Sequence, residues 1–153
     1  MSRIASRLKE VGIVLPKLAP PVANYVPYTI SGTTLYISGQ LPMLDGVVMK
    51  GLLGKDASID QGKDAACLCA INIMAQASAA LDGDLDRIVR CLRLGGFVAS
   101  TPDFFEHPKV INGASDIIVA VFGDAGKHAR AAVGVAALPL GASVEVDAIF
   151  EIK

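Results

Sequence analysis

The chain has 153 residues, of which 52% are hydrophobic and 19% are charged, and its formal net charge at pH 7 is −1. This length suits one domain, and so hydrophobic a composition excludes intrinsic disorder, which needs low hydrophobicity and high net charge. The 14 Lys and Arg residues are matched by 15 Asp and Glu residues. This balance argues against a nucleic-acid binder, because phosphate binding needs concentrated positive charge. A chain this apolar predicts that another subunit covers part of its surface.

The cysteine count and the uncharged stretches indicate the compartment. The three cysteines are few and odd in number, whereas secreted disulfide scaffolds are denser in Cys and usually even. Residues 1–10 carry a charge every few positions and do not resemble a signal peptide. Two long uncharged stretches, 65–81 and 131–144, fall short of the ~20 apolar residues of a membrane helix. We therefore expect reduced thiols, a cytoplasmic protein and no membrane span.

The first third of the chain predicts a helix, a connector and a hairpin. Apolar residues at helical spacing indicate a short helix over 2–12, and the prolines of 15–27 indicate an irregular connector. β-Branched and aromatic residues over 28–38, interrupted by Ser31-Gly32, are typical of a hairpin. A third short strand is expected near 46–50.

A capping box marks the start of the first long helix. Ser58 is followed three residues later by Gln61, so that each side chain can bond a free N–H of the first turn. Small apolar residues then recur at helical spacing through Leu81, which predicts a helix of about 20 residues packed closely on a sheet.

A strand and a second long helix are predicted next. Residues 87–99 have the composition of a strand, with a bulge at Gly95-Gly96. Pro108 is expected at the first position of the second helix, and Gly123 is expected to end it.

The C-terminal residues 130–137 and 143–152 are predicted to form a hairpin around a turn at 138–141. Alternation in the last strand places Val144 and Val146 on one face and Glu145 on the other. The strand before it is apolar on both faces, so we expect helices to bury one face and another subunit to bury the other. The face of small residues, Ala132, Gly134 and Ala136, is the one expected at the subunit interface. The order of the elements predicts one α+β domain with two long helices on one face of the sheet.

The sequence lacks the common nucleotide and zinc motifs. It contains no G-x-G-x-x-G, no P-loop and no H-E-x-x-H. Cys67 and Cys69 point apart on a helix, so they cannot share a metal. His107 and His128 are predicted to lie in loops as surface or capping residues, and a Cys/His catalytic pair is the less supported alternative.

Arg130 and Glu145 are the two candidates for chemistry. Arg130 begins a strand that is otherwise Ala, Val and Gly, where a guanidinium offers a fixed fork for a carboxylate. An ordinary salt bridge at the strand end is the alternative. Glu145 is opposite in phase to the helix-packed residues and could orient water, and a solvated sheet carboxylate is the alternative.

Several of these segments, in one order from about residue 19 to 152, resemble the RidA/YjgF family. The most specific feature is the spacing of fifteen residues between Arg130 and Glu145 across a Leu-Pro turn. The matching blocks are Tyr25-Val26, Ser38-Gly39-Gln40-Leu41-Pro42, Asn112 ahead of the second-helix core, and Ala129-Arg130 through Val135-Ala136-Ala137-Leu138-Pro139 to Val144-Glu145-Val146-Asp147-Ala148-Ile149.

This resemblance implies a chorismate-mutase-like α+β fold with a mixed β-sheet, assembled as a homotrimer with ligand clefts between subunits. The domain would cover residues 1–153, with 1–18 outside the common core. Family members with the Arg hydrolyse reactive 2-imino and 2-enamino acids to 2-keto acids and ammonia, with no cofactor and no metal. Arg130 would hold the substrate carboxylate, and Glu145 would help to position the attacking water. The substrate would be lined by Tyr25, Ser38, Gly39, Asn112 and the backbone N–H of Ala132.

The chain also departs from the family pattern. The Arg is commonly followed by Ser-Cys, where this chain has Ala131-Ala132, and about four extra residues around 105–108 precede the second helix. The lost hydroxyl and thiol keep open a second function, a non-catalytic binder of small carboxylates such as 2-keto acids. A third function, RNA cleavage or inhibition of translation, is disfavoured by the net charge of −1.

Overall fold

The computed structural model describes residues 2–18 and 24–153, so residues 19–23 of the expected connector lie outside the described residues. Within these ranges there are three α-helices: α1 (Arg3–Glu10), α2 (Ile59–Ala80) and α3 (His107–Phe122). The strands are β1 (Tyr28–Ser31), β2 (Thr34–Gln40), β3 (Met43–Leu44), β4 (Val47–Val48), β5 (Ile88–Ala99), β6 (Ala129–Val135) and β7 (Val144–Ile152). No helix in the described ranges is both long enough and apolar enough to cross a membrane.

The main sheet has five strands in the order β1-β2-β7-β5-β6. Its pairs are antiparallel except β5 with β6, which run parallel, so the sheet is mixed. β3 and β4 form a separate small hairpin. Helices α2 and α3 pack against each other and against the main sheet. The predicted mixed α+β fold is confirmed.

Local signals in the sequence locate the helix ends well. The capping box is present: the Ser58 hydroxyl accepts from the Gln61 N–H at 3.1 Å, and the Gln61 side chain accepts from the Ser58 N–H at 2.9 Å. α3 begins one residue earlier than predicted, so Pro108 is its second residue. Gly123 ends α3 with a φ of 64°, a left-handed conformation that favours glycine.

The first hairpin forms as predicted, with a small shift of its turn. Ser31 pairs with Thr34, so the turn residues are Gly32 and Thr33 rather than Ser31-Gly32. The short strand expected near 46–50 is β4, whose partner is β3.

The predicted C-terminal hairpin is wrong. β7 lies between β2 and β5, and β6 lies on the far side of β5. The reason is the connection through α3: strand β5, the helix and strand β6 form a crossover unit, which places its two strands parallel and adjacent. The chain then passes the end of β5, and β7 gains hydrogen-bonded neighbours on both of its edges.

The predicted bulge at Gly95-Gly96 is also wrong. The register shifts of β5 fall between Ile88 and Arg90 and between Cys91 and Arg93. Gly95 and Gly96 are in register, and a Cβ on Gly96 would lie 2.5 Å from Cγ1 of Ile111 on α3. These glycines therefore permit close packing rather than an irregular ladder.

Alternation in β7 divides the sheet into a helix side and an open face. Val144 and every second residue after it through Ile152 are buried, and the residues between them are partly exposed. On β5, Gly96 faces the helix side, where it contacts Ile111 of α3. Gly95 and Phe97, which flank it in sequence, therefore face the open side. Register then places Arg130 and Ala132 of β6 on the helix side, and Ala131 and Val133 on the open face. The face of Ala132 and Gly134, predicted to meet another subunit, is thus the one turned toward His107 at the start of α3.

Helix α3 touches the backbone of α2 at Gly113. A Cβ at this position would overlap the carbonyl oxygen of Lys63. Only glycine permits this separation of the two helices, because a carbonyl inside a helix cannot move aside.

Replacing Gly113 by Ala tests this contact. At an exposed position inside a helix, Ala is more favourable than Gly by about 1 kcal/mol. Without the contact, Gly113→Ala would therefore stabilise the fold. We expect instead that Gly113→Ala lowers the free energy of unfolding by about 2 kcal/mol, as overpacking does, measured by urea unfolding. The control is Asp116→Ala on the exposed side of α3, with an expected change below about 0.5 kcal/mol. A Gly113→Ala protein as stable as the native one would contradict the contact.

Candidate functional site

Arg130 is held by two side chains of α3. Its Nη1 donates to Oδ1 of Asn112 at 2.8 Å and to Oγ of Ser115 at 3.1 Å. Arg130, Asn112 and Ser115 are all half-buried. Both hydrogens of Nη1 are thereby used, and the guanidinium is fixed in one orientation.

The rest of the guanidinium has no protein carboxylate beside it. Within residues 2–18 and 24–153 the ion pairs are Arg7 with Glu10, Arg93 with Asp147, Lys109 with Glu106, and Lys127 with Asp124. The described hydrogen bonds of Arg130 engage Nη1 alone. No protein acceptor for its Nε or Nη2 lies within the described residues, and a free pair of guanidinium nitrogens can bind a carboxylate in bidentate geometry. A salt bridge of Arg130 at the strand end, the alternative, is not found among the described residues.

A backbone donor, the N–H of Ala132, follows Arg130 by two residues on β6. Ser100 N–H donates to the carbonyl of Val135 at 3.1 Å, so the polar backbone groups of Val135 point toward β5. These groups alternate in direction along a strand, and β5 and β6 pair without a register shift. The N–H of Ala132 consequently points to the outer edge of β6, with which no other strand pairs in the described chain.

Glu145 lies on the open face, beside Gly39. A Cβ on Gly39 would lie 2.8 Å from Cδ of Glu145, so the glycine leaves space for the carboxylate. Burial raises the pKa of Glu145, and the nearby negative charge of Asp147 raises it further. Burial likewise raises the pKa of Asp147, and Arg93 opposes that effect.

The other two predicted site residues lie near β1. Ser38 of β2 donates through Oγ to the carbonyl of Pro27 at 3.1 Å, and it is half-buried. Tyr25 is 63% exposed in the connector before β1.

The structure therefore brings six of the seven predicted residues together as two separate groups and leaves Tyr25 outside both. We call Arg130, Asn112 and Ala132 the helix-side cluster, and Glu145, Gly39 and Ser38 the open-face cluster. Arg130 and Glu145 lie on opposite sides of the sheet, as their contacts with α3 and with Gly39 show. Within one chain, the two groups cannot touch one small substrate.

Sequence reasoning missed Ser115 and His128. Nε2 of His128 lies 2.9 Å from Oγ of Ser115, and its Nδ1 lies 2.6 Å from the carbonyl oxygen of Gly126. Two signals were present: Ser115 stands three residues after Asn112 on one helix face, and His128 stands two residues before Arg130. The other histidine also has a serine partner, since Nε2 of His107 lies 3.1 Å from Oγ of Ser100.

The three thiols are poor nucleophiles. All are free, and burial raises the pKa of each, that of Cys91 to about 12. They are therefore protonated at neutral pH. In the described part of the chain no three His, Cys, Asp or Glu side chains come together in a way that could hold a metal ion.

A cavity of about 420 Å³ lies elsewhere, between α1 and the C-terminal end of α3. Among its lining residues, Arg7 is already bonded to Glu10 at 2.8 Å and to the carbonyl of Ala120 at 2.6 Å. The guanidinium of Arg7 thus attaches α1 to α3. Neither Arg130 nor Glu145 lines the cavity.

The whole fold has relatives of similar length. A sequence model of the YjgF/chorismate-mutase-like family, which carries the description "putative endoribonuclease", matches residues 5–152. A protein of Trypanosoma cruzi named TCP17 is 51% identical over 153 residues, covering 99% of this chain and 95% of that protein.

Two solved structures are similar to the chain over almost its full length. One is a protein of unknown function from Agrobacterium tumefaciens, with 56% identity, a TM-score of 0.91, and coverage of 98% of this chain and 93% of that one. The other is a "putative endoribonuclease" from Shewanella oneidensis, with 37% identity, a TM-score of 0.92, and coverage of 97% and 99%. The chain belongs to the YjgF/chorismate-mutase-like family, and the resemblance to RidA/YjgF proteins is confirmed.

The charges of the open face allow a direct test of the Glu145 environment. Asp147→Asn removes the neighbouring negative charge, so we expect the pKa of Glu145 to fall. It should stay above the ordinary Glu value, because burial is the larger cause. Carboxyl NMR titration measures both effects. Glu151→Gln, a change on the same face of β7, is the control and should leave the pKa of Glu145 unchanged. An unchanged pKa in Asp147→Asn would show that the two carboxylates do not interact.

Proposed function

We propose that this protein hydrolyses 2-imino and 2-enamino acids to 2-keto acids and ammonia, in a homotrimer that joins the helix-side cluster of one subunit to the open-face cluster of the next. The observation that carries this proposal is the half-buried Arg130, whose Nε and Nη2 have no protein acceptor within the described residues. Such an edge suits the carboxylate that every 2-imino acid carries.

The joining of two subunits is needed because neither cluster suffices alone. The helix-side cluster offers hydrogen-bond donors and a positive charge, and the open-face cluster offers a carboxylate. They lie on opposite sides of the sheet in one chain. A cleft between subunits would bring the two together around one substrate.

The chemistry needs only these groups. Arg130 and the N–H of Ala132 hold the substrate carboxylate, which leaves the electrophilic imine carbon facing the partner cluster. A water oxygen forms a bond to that carbon as the C=N electron pair moves onto nitrogen, and one water proton passes through Glu145 to the nitrogen. Glu145 then takes the remaining hydroxyl proton and passes it to the same nitrogen, so that the C–N bond breaks with its electron pair on nitrogen. Ammonia leaves as the carbonyl of the 2-keto acid forms. A 2-enamino acid first takes up a proton at its β-carbon and loses one from nitrogen, which converts it to the imine.

The environment of Glu145 suits this role. Its raised pKa makes its carboxylate a stronger base than an exposed Glu. Activity should therefore fall as pH drops through that raised pKa, because the protonated acid cannot accept a proton from water.

A non-catalytic binder of small carboxylates is the second candidate. The presence of Ala131-Ala132 after Arg130 favours it, since these residues provide no hydroxyl or thiol. Retained binding of a 2-keto acid without turnover of an imino acid would select this candidate. RNA cleavage, the activity in the names of the family and of one relative, would instead show as salt-dependent RNA binding.

We also infer a cytoplasmic location. Cys67, Cys69 and Cys91 are all free thiols. Reduced cysteines persist in a cytoplasm and are untypical of an oxidising compartment. Cell fractionation with an antibody to the protein would test this inference.

The proposed assembly predicts a native mass of three chains by light scattering. Val133 is 45% exposed on the open face of β6, where a second subunit would cover it. Val133→Glu would bury an unpaired charge, at a cost of several kcal/mol, and should dissociate the trimer. Val14→Glu, at a position 90% exposed shortly after α1, is the control and should stay trimeric. A native protein that is monomeric at micromolar concentration would contradict the shared cleft.

The division of labour between Arg130 and Glu145 gives opposite kinetic signatures. Arg130→Lys keeps the charge but loses the bidentate edge, so we expect it to weaken pyruvate binding by about tenfold or more and to raise KM. Glu145→Gln should leave pyruvate binding close to native and lower kcat by about 10² to 10⁴. Calorimetry with pyruvate and stopped-flow assays on 2-iminopropanoate generated in the assay measure both.

Glu151→Gln is the matched control, because it removes a carboxylate from the same face of the same strand. It should keep native binding and turnover. If Glu145→Gln turned over at the native rate, Glu145 would be a structural carboxylate. If Arg130→Lys bound pyruvate as the native protein does, Arg130 would not hold the substrate.

A further inference from the structure

Behind the guanidinium of Arg130 runs a continuous chain of hydrogen bonds. Nη1 of Arg130 lies 3.1 Å from Oγ of Ser115, which lies 2.9 Å from Nε2 of His128. Nδ1 of His128 lies 2.6 Å from the carbonyl oxygen of Gly126. The chain thus starts at a backbone carbonyl and ends at the predicted carboxylate fork.

The chemistry of these groups fixes the direction of each bond. The carbonyl of Gly126 can only accept, so Nδ1 of His128 carries the hydrogen. In the neutral ring Nε2 is then an acceptor, and the Ser115 hydroxyl donates to it. The lone pairs of Ser115 remain free to accept from Arg130. Every donor in the chain has an acceptor, with His128 in its Nδ1–H form.

The starting point of the chain is rigid. Gly126 is buried against α3, and a Cβ there would lie 2.6 Å from the carbonyl oxygen of Ile118. The loop backbone is therefore pressed onto the same helix that carries Ser115. His128 is attached at both ring nitrogens to groups that α3 holds in place.

We propose that Ser115 and His128 are positioning residues of the carboxylate site, and this inference rests on the proposed function. They hold Nη1 toward α3, so that Nε and Nη2 stay turned outward for a substrate carboxylate. Asn112 contributes the second bond to Nη1, and it alone would allow the guanidinium to rotate about that contact. Neither Ser115 nor His128 touches the substrate in this arrangement, so their effect passes through Arg130.

The test compares paired variants that differ by one hydrogen-bonding group. Ser115→Ala removes the hydroxyl and should raise the Kd for pyruvate about tenfold, as expected for a lost bond to a charged group. KM should rise in parallel, and kcat should stay within about threefold of native, since Glu145 belongs to the other cluster. Ser115→Thr keeps the hydroxyl and should bind within about threefold of native. His128→Leu should match Ser115→Ala, and His128→Gln should recover most of the affinity because its side-chain oxygen can accept from Ser115.

A double variant and a matched control separate positioning from general loosening of the fold. Ser115→Ala combined with His128→Leu should bind pyruvate no more weakly than either single variant, because both break one chain. Ser100→Ala breaks the other Ser–His pair, which does not bond Arg130, and should bind as the native protein does. Equal losses in Ser100→Ala and Ser115→Ala, or a native Kd in Ser115→Ala, would overturn the inference.

A second measurement needs no ligand. Long-range ¹H–¹⁵N NMR of the native protein should show His128 as the neutral Nδ1–H tautomer, and an Nε2–H tautomer would overturn the assigned direction of the chain. If the native protein binds no pyruvate and hydrolyses no imino acid, the proposed function fails. The tautomer then decides by itself whether the hydrogen-bond chain exists as described.

Discussion

Glycine at three close contacts fixes how α3 lies in this fold. Gly113 allows the helix to touch the backbone of α2, Gly96 allows it to approach β5, and Gly126 presses the following loop onto it. Contact on several sides leaves α3 little freedom to rotate or slide, because a close-packed interior has no free space for the helix to move into. Asn112 and Ser115 are next to these contacts in sequence, so their direction toward β6 follows from them. The orientation of Arg130 depends in turn on those two side chains.

The sheet separates two kinds of chemistry. On the helix side, Arg130 and the free backbone N–H of Ala132 provide donors. On the open face, Glu145 and Asp147 provide two carboxylates, one of them paired with Arg93 at 3.6 Å. The sheet lies between these groups, so in the proposed function they meet one molecule only across a contact between chains. Opposite charges on the two surfaces also favour such a contact over one that joins like surfaces.

How far the sequence predicts this structure depends on the range of the interactions. The capping box at Ser58, the first hairpin and the alternation of β7 are decided by neighbours a few residues apart, and all are found. Strand pairing is decided by distant segments. A Leu-Pro-Leu-Gly turn can join β6 and β7 as a hairpin, or it can carry the chain past the end of β5 so that the two strands do not pair. The sequence pattern alone favours the hairpin, and the structure has the second arrangement. The same limit explains Gly95-Gly96, because a glycine needed for a bulge and one needed for packing look identical in sequence.

The candidate site shows the same division. Arg130 and Asn112 were paired only through a family resemblance, and the structure joins them at 2.8 Å. Ser115 and His128 carry no motif, since a serine in a helix and a histidine in a loop are ordinary residues. Their spacings from Asn112 and Arg130 become informative only when the loop after α3 is folded back onto that helix. Positions that act through another side chain are the least visible to sequence reasoning for this reason.

The place of β7 in the sheet bears on how the chain is made. β7 is the last strand in sequence, yet it lies between β2 and β5. During synthesis both of those strands leave the ribosome without their shared neighbour, and their unpaired edges are open to other chains. The sheet closes only when the nine residues of β7 emerge. A chain cut before β7 would therefore lack the central strand of its sheet, and one edge of β2 and one edge of β5 would stay unpaired.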